Sequence, residues 1–401
     1  MLRNAFYLAL RSLWWYRGRA ITIVLCLALT LWLPITVRLL LNQFRTDIVS
    51  RAESTPLVIG AKGSRIDLAL LALYFDTIPP DATTMAEANY IQDTGFATAM
   101  PVHVAYRTQS INNQDGVPIV GTTLEYFEFR DLYLAEGNGL AMLGDCVVGS
   151  NVASRMNLKP GDKILSAPKN AFNLAGDYPL RMNITGVLAK SNSPDDDVVF
   201  IDLKTAWIID GIGHGHQELA HESVDDGMLL EKSETSVTAS AAVLPFTEIT
   251  ADNIDSFHLH GREETFPISA VIANPHSRKD QTLLLGRYAS ARTETAQCVK
   301  PAGVVHDLLN IVFRVERLVW LSSILSAFVT ALLLGLVLLL SIRLRAAEMQ
   351  TMHKLGCSRA TIVSLIGTEI FLMTLAGILL ALSAAWLSKL AAADWLRSLL
   401  F

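Results

Sequence analysis

A chain of 401 residues that is 51% apolar, with mean hydropathy +0.36 and a formal net charge of −5, is too hydrophobic for an ordinary soluble enzyme and long enough for more than one domain. The charge is segregated: residues 42–312 carry 20 Lys+Arg against 34 Asp+Glu, a net of −14, and the remainder carries 13 against 4, a net of +9. Base beside the apolar segments and acid in one hydrophilic block exclude a nucleic-acid-binding protein, because no basic stripe with interleaved aromatics occurs in that block.

Residues 1–19 set Leu2, Phe6, Leu10 and Leu13 near one helical face, with Arg3, Arg11, Arg17 and Arg19 elsewhere or at the end. They predict an amphipathic helix in the cytoplasmic interface, anchored by Trp14, Trp15 and Tyr16. A signal-peptide n-region is the alternative. The apolar segment that follows is longer than an h-region and runs into Arg38 instead of a small-residue cleavage site. Residues 20–41 are therefore read as an uncleaved first span, with Pro34 near its outer end. From 42 to 312 the texture is that of an extracytoplasmic α+β domain. Runs at 56–59, 117–121, 146–149, 183–188, 198–201 and 268–273 predict strands, 64–73 and 279–289 predict helices, and KPGD at 159–162 predicts a turn. Residues 304–317 predict an amphipathic stretch returning to the membrane as a helical stalk continuous with a second span, and the stalk-and-span segment is placed at 313–342, after the outer domain. Its core, 318–342, is 25 residues without a charge. At about 1.5 Å per residue it crosses a hydrocarbon layer of roughly 30 Å. A third span, 362–387, holds Glu369 as its only charge. The connecting segment 343–361 carries Arg343, Arg345, Lys354 and Arg359 against Glu348, and the positive-inside rule makes it cytoplasmic. The tail 388–401 is too short to cross again, so three spans put the C-terminus outside.

The four cysteines have no metal-type spacing. Cys26 falls in the first span and Cys357 in the cytoplasmic segment, while Cys146 and Cys298 fall in the outer block, where a disulfide between them is permitted. Residues 60–64 (GAKGS) superficially resemble a phosphate loop. They lack the GxxxxGK[ST] pattern and are not read as joining a strand to a helix. With no GxSxG and no HExxH, the chain is expected to be non-catalytic, with any nucleotide chemistry on another chain. Glu369 is read either as part of a functional path or, being two turns from the cytoplasmic end, as an interfacial or helix-packing group; the second is favoured. His214, His216 and His221 lie beside Glu218 and Glu222, with His258 and His260 further on. Imidazoles and carboxylates this dense suit Zn²⁺, and Asp195, Asp196, Asp197, Asp225 and Asp226 add oxygen donors nearby in sequence. His-x-His spacings also occur in solvated acidic loops, and no four-ligand set is defined.

Residues 57–64 (LVIGAKGS), 121–137 (GTTLEYFEFRDLYLAEG), 147–164 (VVGSNVASRMNLKPGDKI), 184–202 and 343–369 resemble, in order, the signature stretches of MacB/FtsX/LolC-type ABC transporter permeases. The resemblance implies an α-helical membrane protein with a large α+β extracytoplasmic domain, a porter-like subdomain interrupted by a second one at about 135–226. It also implies a permease subunit of the inner membrane that couples a separate cytoplasmic ABC ATPase, which holds the ATP, to movement of a periplasmic domain. Homodimers or heterodimers with a related permease, and a periplasmic adaptor or substrate-binding protein, belong to the same expectation. The matching cytoplasmic segment makes Arg345, Glu348, Met352, Lys354, Leu355, Gly356 and Arg359 the expected ATPase-coupling residues. A basic amphipathic segment of that kind offers a compact docking surface; the alternative is that its charges only fix topology. Such permeases usually have four spans, and the fourth is missing from this sequence. Two other readings share the layout: a membrane-anchored zinc-handling permease or sensor, and an FtsX-like activator of an extracytoplasmic hydrolase.

Overall fold

The computed structural model describes residues 2–75, 81–110, 115–167, 179–215, 229–232, 237–239, 248–290 and 295–400. It divides into two compact units, residues 1–48 with 306–400 and residues 49–305.

The first unit is helical. A helix Leu2–Trp15 is followed, after a turn at Tyr16, by a second helix Arg17–Glu53, and the chain returns through Pro301–Leu344, Ala346–Lys354 and Arg359–Leu400. Among the described residues, three stretches are long and apolar enough to cross a membrane: Arg17–Glu53, Trp320–Leu344 and Arg359–Ala391. The Arg17–Glu53 helix continues eleven residues past Asn42, where the composition turns polar, because NQFRTDIVSRAE contains no Gly or Pro to stop it. For the same reason the Ala- and Leu-rich residues after 387 prolong the last helix to Leu400. The helices are joined by small and polar contacts of the kind that hold helices together where burial from water drives nothing. The Thr30 and Thr330 hydroxyls lie 3.2 Å apart, and Trp32 Nε1–H donates to Ser388 Oγ at 3.1 Å. Gly377 lies so close to Leu27 that a Cβ there would stand 3.2 Å from that side chain. Leu321, Leu325, Phe328, Leu332 and Leu336 repeat at helical spacing along Trp320–Leu344 and are all exposed, an apolar stripe suited to lipid.

The second unit is built on one sheet. Across it run Ala296–Val299, Leu57–Ala61, Ala270–Pro275, Ala97–Arg107, Pro118–Thr122, Val199–Asp202, Asp145–Val148 and Arg181–Leu188. Leu134–Gly137 and Lys163–Leu165 both pair with the free side of Arg181–Leu188, end to end. Pairing is antiparallel except between Pro118–Thr122 and Val199–Asp202 and between Asp145–Val148 and Arg181–Leu188. The period-2 alternation of strands sorts side chains to the two faces. Val199 and Ile201 join a core with Ile119, Cys146, Val152 and Ile184. Phe200, between them, meets Phe75, Tyr126 and Phe127 at ring-centroid distances of 6.2, 5.7 and 5.2 Å. A separate core gathers Leu57, Ile59, Ile91, Trp207, Val271 and Leu284.

One open reading closes, one expectation changes and one strand is added. Cys146 and Cys298 are both free: their strands stand six places apart in the sheet, about 29 Å at the usual spacing, and burial pushes both thiols up. Residues 60–64 do join a strand, Leu57–Ala61, to a helix, Arg65–Tyr74. There, however, Ser64 Oγ caps the helix by accepting the Asp67 N–H at 3.2 Å, and Lys62 N–H donates to the Thr295 carbonyl, so the turn is closed by the chain's own groups. The longest strand, Ala97–Arg107, is a member that sequence patterning did not find.

Candidate functional site

At one end of the helical unit an ion cluster ties four segments together. Glu369 is only 3% exposed. Arg345 Nη1 donates to both of its oxygens, at 3.0 and 3.3 Å, and Arg19 Nη2 stands 3.7 Å from Oε2. Arg345 Nη2 also donates to Ser12 Oγ at 3.3 Å, and the Tyr16 ring lies 5.1 Å from the Arg19 guanidinium and 5.2 Å from that of Arg345. A carboxylate in an apolar bundle requires such partners, and a ring face adds attraction for the cations. An apolar pocket lined by Met349, Met352, Leu365, Ile366 and Met373 adjoins the cluster. Beyond it, Gly356 at φ +92° closes the Ala346–Lys354 helix, with Cys357 N–H returning to the Met352 carbonyl at 3.1 Å. Lys354, Leu355, Gly356 and Arg359 are exposed and Met352 is half-buried; the Glu348 side chain lies outside the described residues. Arg345, one of the expected ATPase-coupling residues, has its guanidinium engaged with Glu369 and Ser12 within the bundle.

In the α+β unit, strand Gly213–Gly215 pairs antiparallel with Phe257–Leu259, His214 directly opposite His258. The ladder continues through His260 N–H to the Ile212 carbonyl at 2.9 Å. Phe257 packs against one core and Leu259 against the other, so the alternate residues His258 and His260 project to the exposed face, where the half-buried His214 joins them. The ring centroids lie 4.7 to 5.5 Å apart, and one nitrogen from each ring falls within 4.8 Å of the other two. The glycines flanking His214 make room for this packing: a Cβ on Gly213 would stand 2.6 Å from the Leu259 side chain, and one on Gly215 2.7 Å from the Phe257 ring. His216, His221, Glu218, Glu222, Asp225 and Asp226 lie outside the described residues.

The sequence profile of the MacB-like periplasmic core domain matches residues 20–244, more than half of the chain. The chain belongs to the MacB-like ABC transporter permeases. Among solved structures, it is similar to the extracellular domain of the ABC-type transporter YknZ from Gram-positive bacteria, at 11% identity and TM-score 0.34, over 61% of this chain and 98% of that one. It is also similar to the periplasmic region of MacB from Actinobacillus actinomycetemcomitans, at 11% identity and TM-score 0.34, over 64% and 93%. No curated protein sequence matches it. Proteins of this family are transporter permeases that work with cytoplasmic ABC ATPases.

This MacB-like permease carries a further buried ion network that sequence reasoning missed. Arg51, in the last turn of Arg17–Glu53, grips Asp195 with both terminal nitrogens, at 2.5 and 2.9 Å, and donates to the Tyr126 hydroxyl at 3.1 Å. Tyr126 in turn donates to Asp195 Oδ1 at 2.6 Å. Burial alone would raise the Asp195 carboxyl, but Arg51, Arg130 and the Tyr126 hydroxyl outweigh it and hold the group below the usual carboxylate range. Burial, then the Asp195 charge, pushes the Tyr126 hydroxyl up to about 12. Asp196 accepts the N–H groups of Ser191 and Asn192 at 3.0 and 2.7 Å, and Asp197 accepts from Asn151 at 2.9 Å. The carboxylates of residues 195–197 are thus committed to these partners and do not join the histidines. The only sequence signal for the network was an Arg at the polar end of a span and a PDDD turn more than a hundred residues away.

Proposed function

We propose that this chain is the membrane subunit of an ABC-type export or mechanotransmission complex in the inner membrane, with no chemistry of its own. A separate cytoplasmic ATPase hydrolyses ATP, and this subunit passes the resulting movement to a periplasmic α+β domain of porter-like type with an inserted subdomain. The observation that carries the reading is the Glu369 cluster. One buried carboxylate holds Arg19 on the first apolar helix, Arg345 at the junction of two later helices and, through it, Ser12 of the N-terminal helix. Immediately after it come the exposed Lys354, Leu355, Gly356 and Arg359. Exposed cations and an apolar side chain present the docking surface, and the ion cluster makes its displacement a displacement of several helices at once. The ATPase partner meets residues 346–359 from the cytoplasm, and two such permease subunits, alike or related, flank the transport path. An adaptor or substrate-binding protein engages the periplasmic domain.

The test is ATP hydrolysis by the reconstituted complex. Lys354→Glu with Arg359→Glu is expected to lower permease-stimulated hydrolysis by roughly 5- to 100-fold, the range of ordinary intersite coupling, while the permease still folds. Deletion of residues 345–360 that left the ATPase bound and stimulated would contradict the proposal.

A further inference from the structure

We infer that the face formed by His214, His258 and His260 is an open binding site for a divalent transition-metal ion of the Zn²⁺ type, a property additional to the coupling role and independent of it. Three imidazoles converge from two strands because the register places His214 opposite His258 and the strand period places His260 beside it. Their nearest nitrogens lie within 4.8 Å of one another, and small shifts of exposed rings bring such a triangle onto an ion bound at about 2.0–2.1 Å. The ring of His258 is already oriented. Its Nδ1 lies 3.1 Å from the Ser256 carbonyl, and a carbonyl only accepts, so Nδ1 carries a hydrogen and, in the neutral ring, Nε2 is the nitrogen that offers a lone pair to a metal. A backbone carbonyl on the far nitrogen of a histidine is the usual outer support of a metal ligand.

The donor set chooses the ion. Three neutral nitrogens without a carboxylate suit Zn²⁺, Cu²⁺ or Ni²⁺ and are poor for Ca²⁺ or Mg²⁺, which take oxygen. Among the described residues three ligands converge, which leaves one tetrahedral position to a further group, and two of the three rings are exposed. The surrounding packing supports the same assignment: Phe257 and Leu259 fix the strand pair from beneath, and Gly213 and Gly215 give them room, so the histidine face is held in place by the cores.

The experiment titrates Zn²⁺ into the purified full-length chain in detergent against a chromophoric chelator, with Co²⁺ absorption as a report on ligand geometry. The proposal expects a single competing site and visible bands of four-coordinate, nitrogen-ligated Co²⁺. It expects His258→Ala with His260→Ala, both on an exposed face, to weaken binding by at least 10- to 100-fold, the loss that even an outer-shell partner produces. His214→Asn is expected to act in the same direction and to abolish the Co²⁺ bands. Absence of competitive binding would overturn the proposal. So would binding that survives these changes and disappears on His216→Ala with His221→Ala. Either failure leaves stimulated ATP hydrolysis untouched, so the coupling reading is tested separately.

Discussion

At the scale of single residues, the two ion networks differ in what their loss does. Asp195 is wholly buried and doubly bound by Arg51, so Asp195→Asn leaves a buried guanidinium without its charge partner. The expected destabilisation is about 3–5 kcal/mol, read as a lowered thermal midpoint of the full chain in detergent. The pH dependence follows from the direction of the shift. A carboxyl held below its unfolded value of about 3.9 stabilises fully above that value, and the stabilisation is lost as pH falls through the folded one. The Tyr126 hydroxyl, raised to about 12, stabilises below about 10 and ceases to do so as pH rises from there through 12. A melting profile whose acid limb is unchanged in Asp195→Asn would contradict this account. Glu369→Gln keeps the shape but removes the charge shared by Arg19 and Arg345. It is expected to leave ATPase docking intact and to lower stimulated hydrolysis, separating transmission from binding. Glu369 was legible in the sequence as a costly intramembrane charge, but its partners were not, because Arg345 and Arg19 come from segments 24 and 350 residues away.

Among the elements, the strand pair Gly213–Gly215 with Phe257–Leu259 makes the sharpest prediction. Gly213→Ala adds a Cβ 2.6 Å from Leu259 and 2.9 Å from the His258 carbonyl oxygen, so the strands must separate. Zn²⁺ affinity is expected to fall although every histidine remains, whereas Gly211→Ala, outside the paired strands, should leave it unchanged apart from the strain of a residue at φ +76°. Gly377→Leu forces a side chain into Leu27 and is expected to lower the thermal midpoint, at a cost of about 1–3 kcal/mol. The same elements show what patterning reveals. Strands at 117–121, 183–188 and 198–201 stood out as β-branched runs and lie where Pro118–Thr122, Arg181–Leu188 and Val199–Asp202 are. Ala97–Arg107 did not, since Pro101 argues against a central strand; the strand tolerates it, and the Pro101 carbonyl is used by the Thr122 hydroxyl at 2.9 Å. The alternation Phe257, His258, Leu259, His260 was visible as spacing. Its pairing with His214 was not, because register across more than forty residues is set by tertiary packing.

For the whole molecule, charge segregation and the apolar runs carried most of the reading. Among the described residues, three helices of membrane-spanning length and an α+β unit correspond to the basic, apolar flanks and the acidic block of the sequence. What composition does not encode is where a helix stops once no breaker is present, which is why Arg17–Glu53 extends into the polar block. The account depends on the acidic block and the basic connector lying on opposite sides of the bilayer. Labelling with a membrane-impermeant maleimide tests that directly. In a background lacking Cys26 and Cys298, Lys190→Cys and the native, exposed Cys357 serve as reporters. The account predicts that the cysteine at 190 reacts in cells with a permeable outer barrier and an intact inner membrane, and that Cys357 reacts only after that membrane is opened. Reaction of Cys357 in intact spheroplasts, or protection of position 190 until lysis, would contradict it.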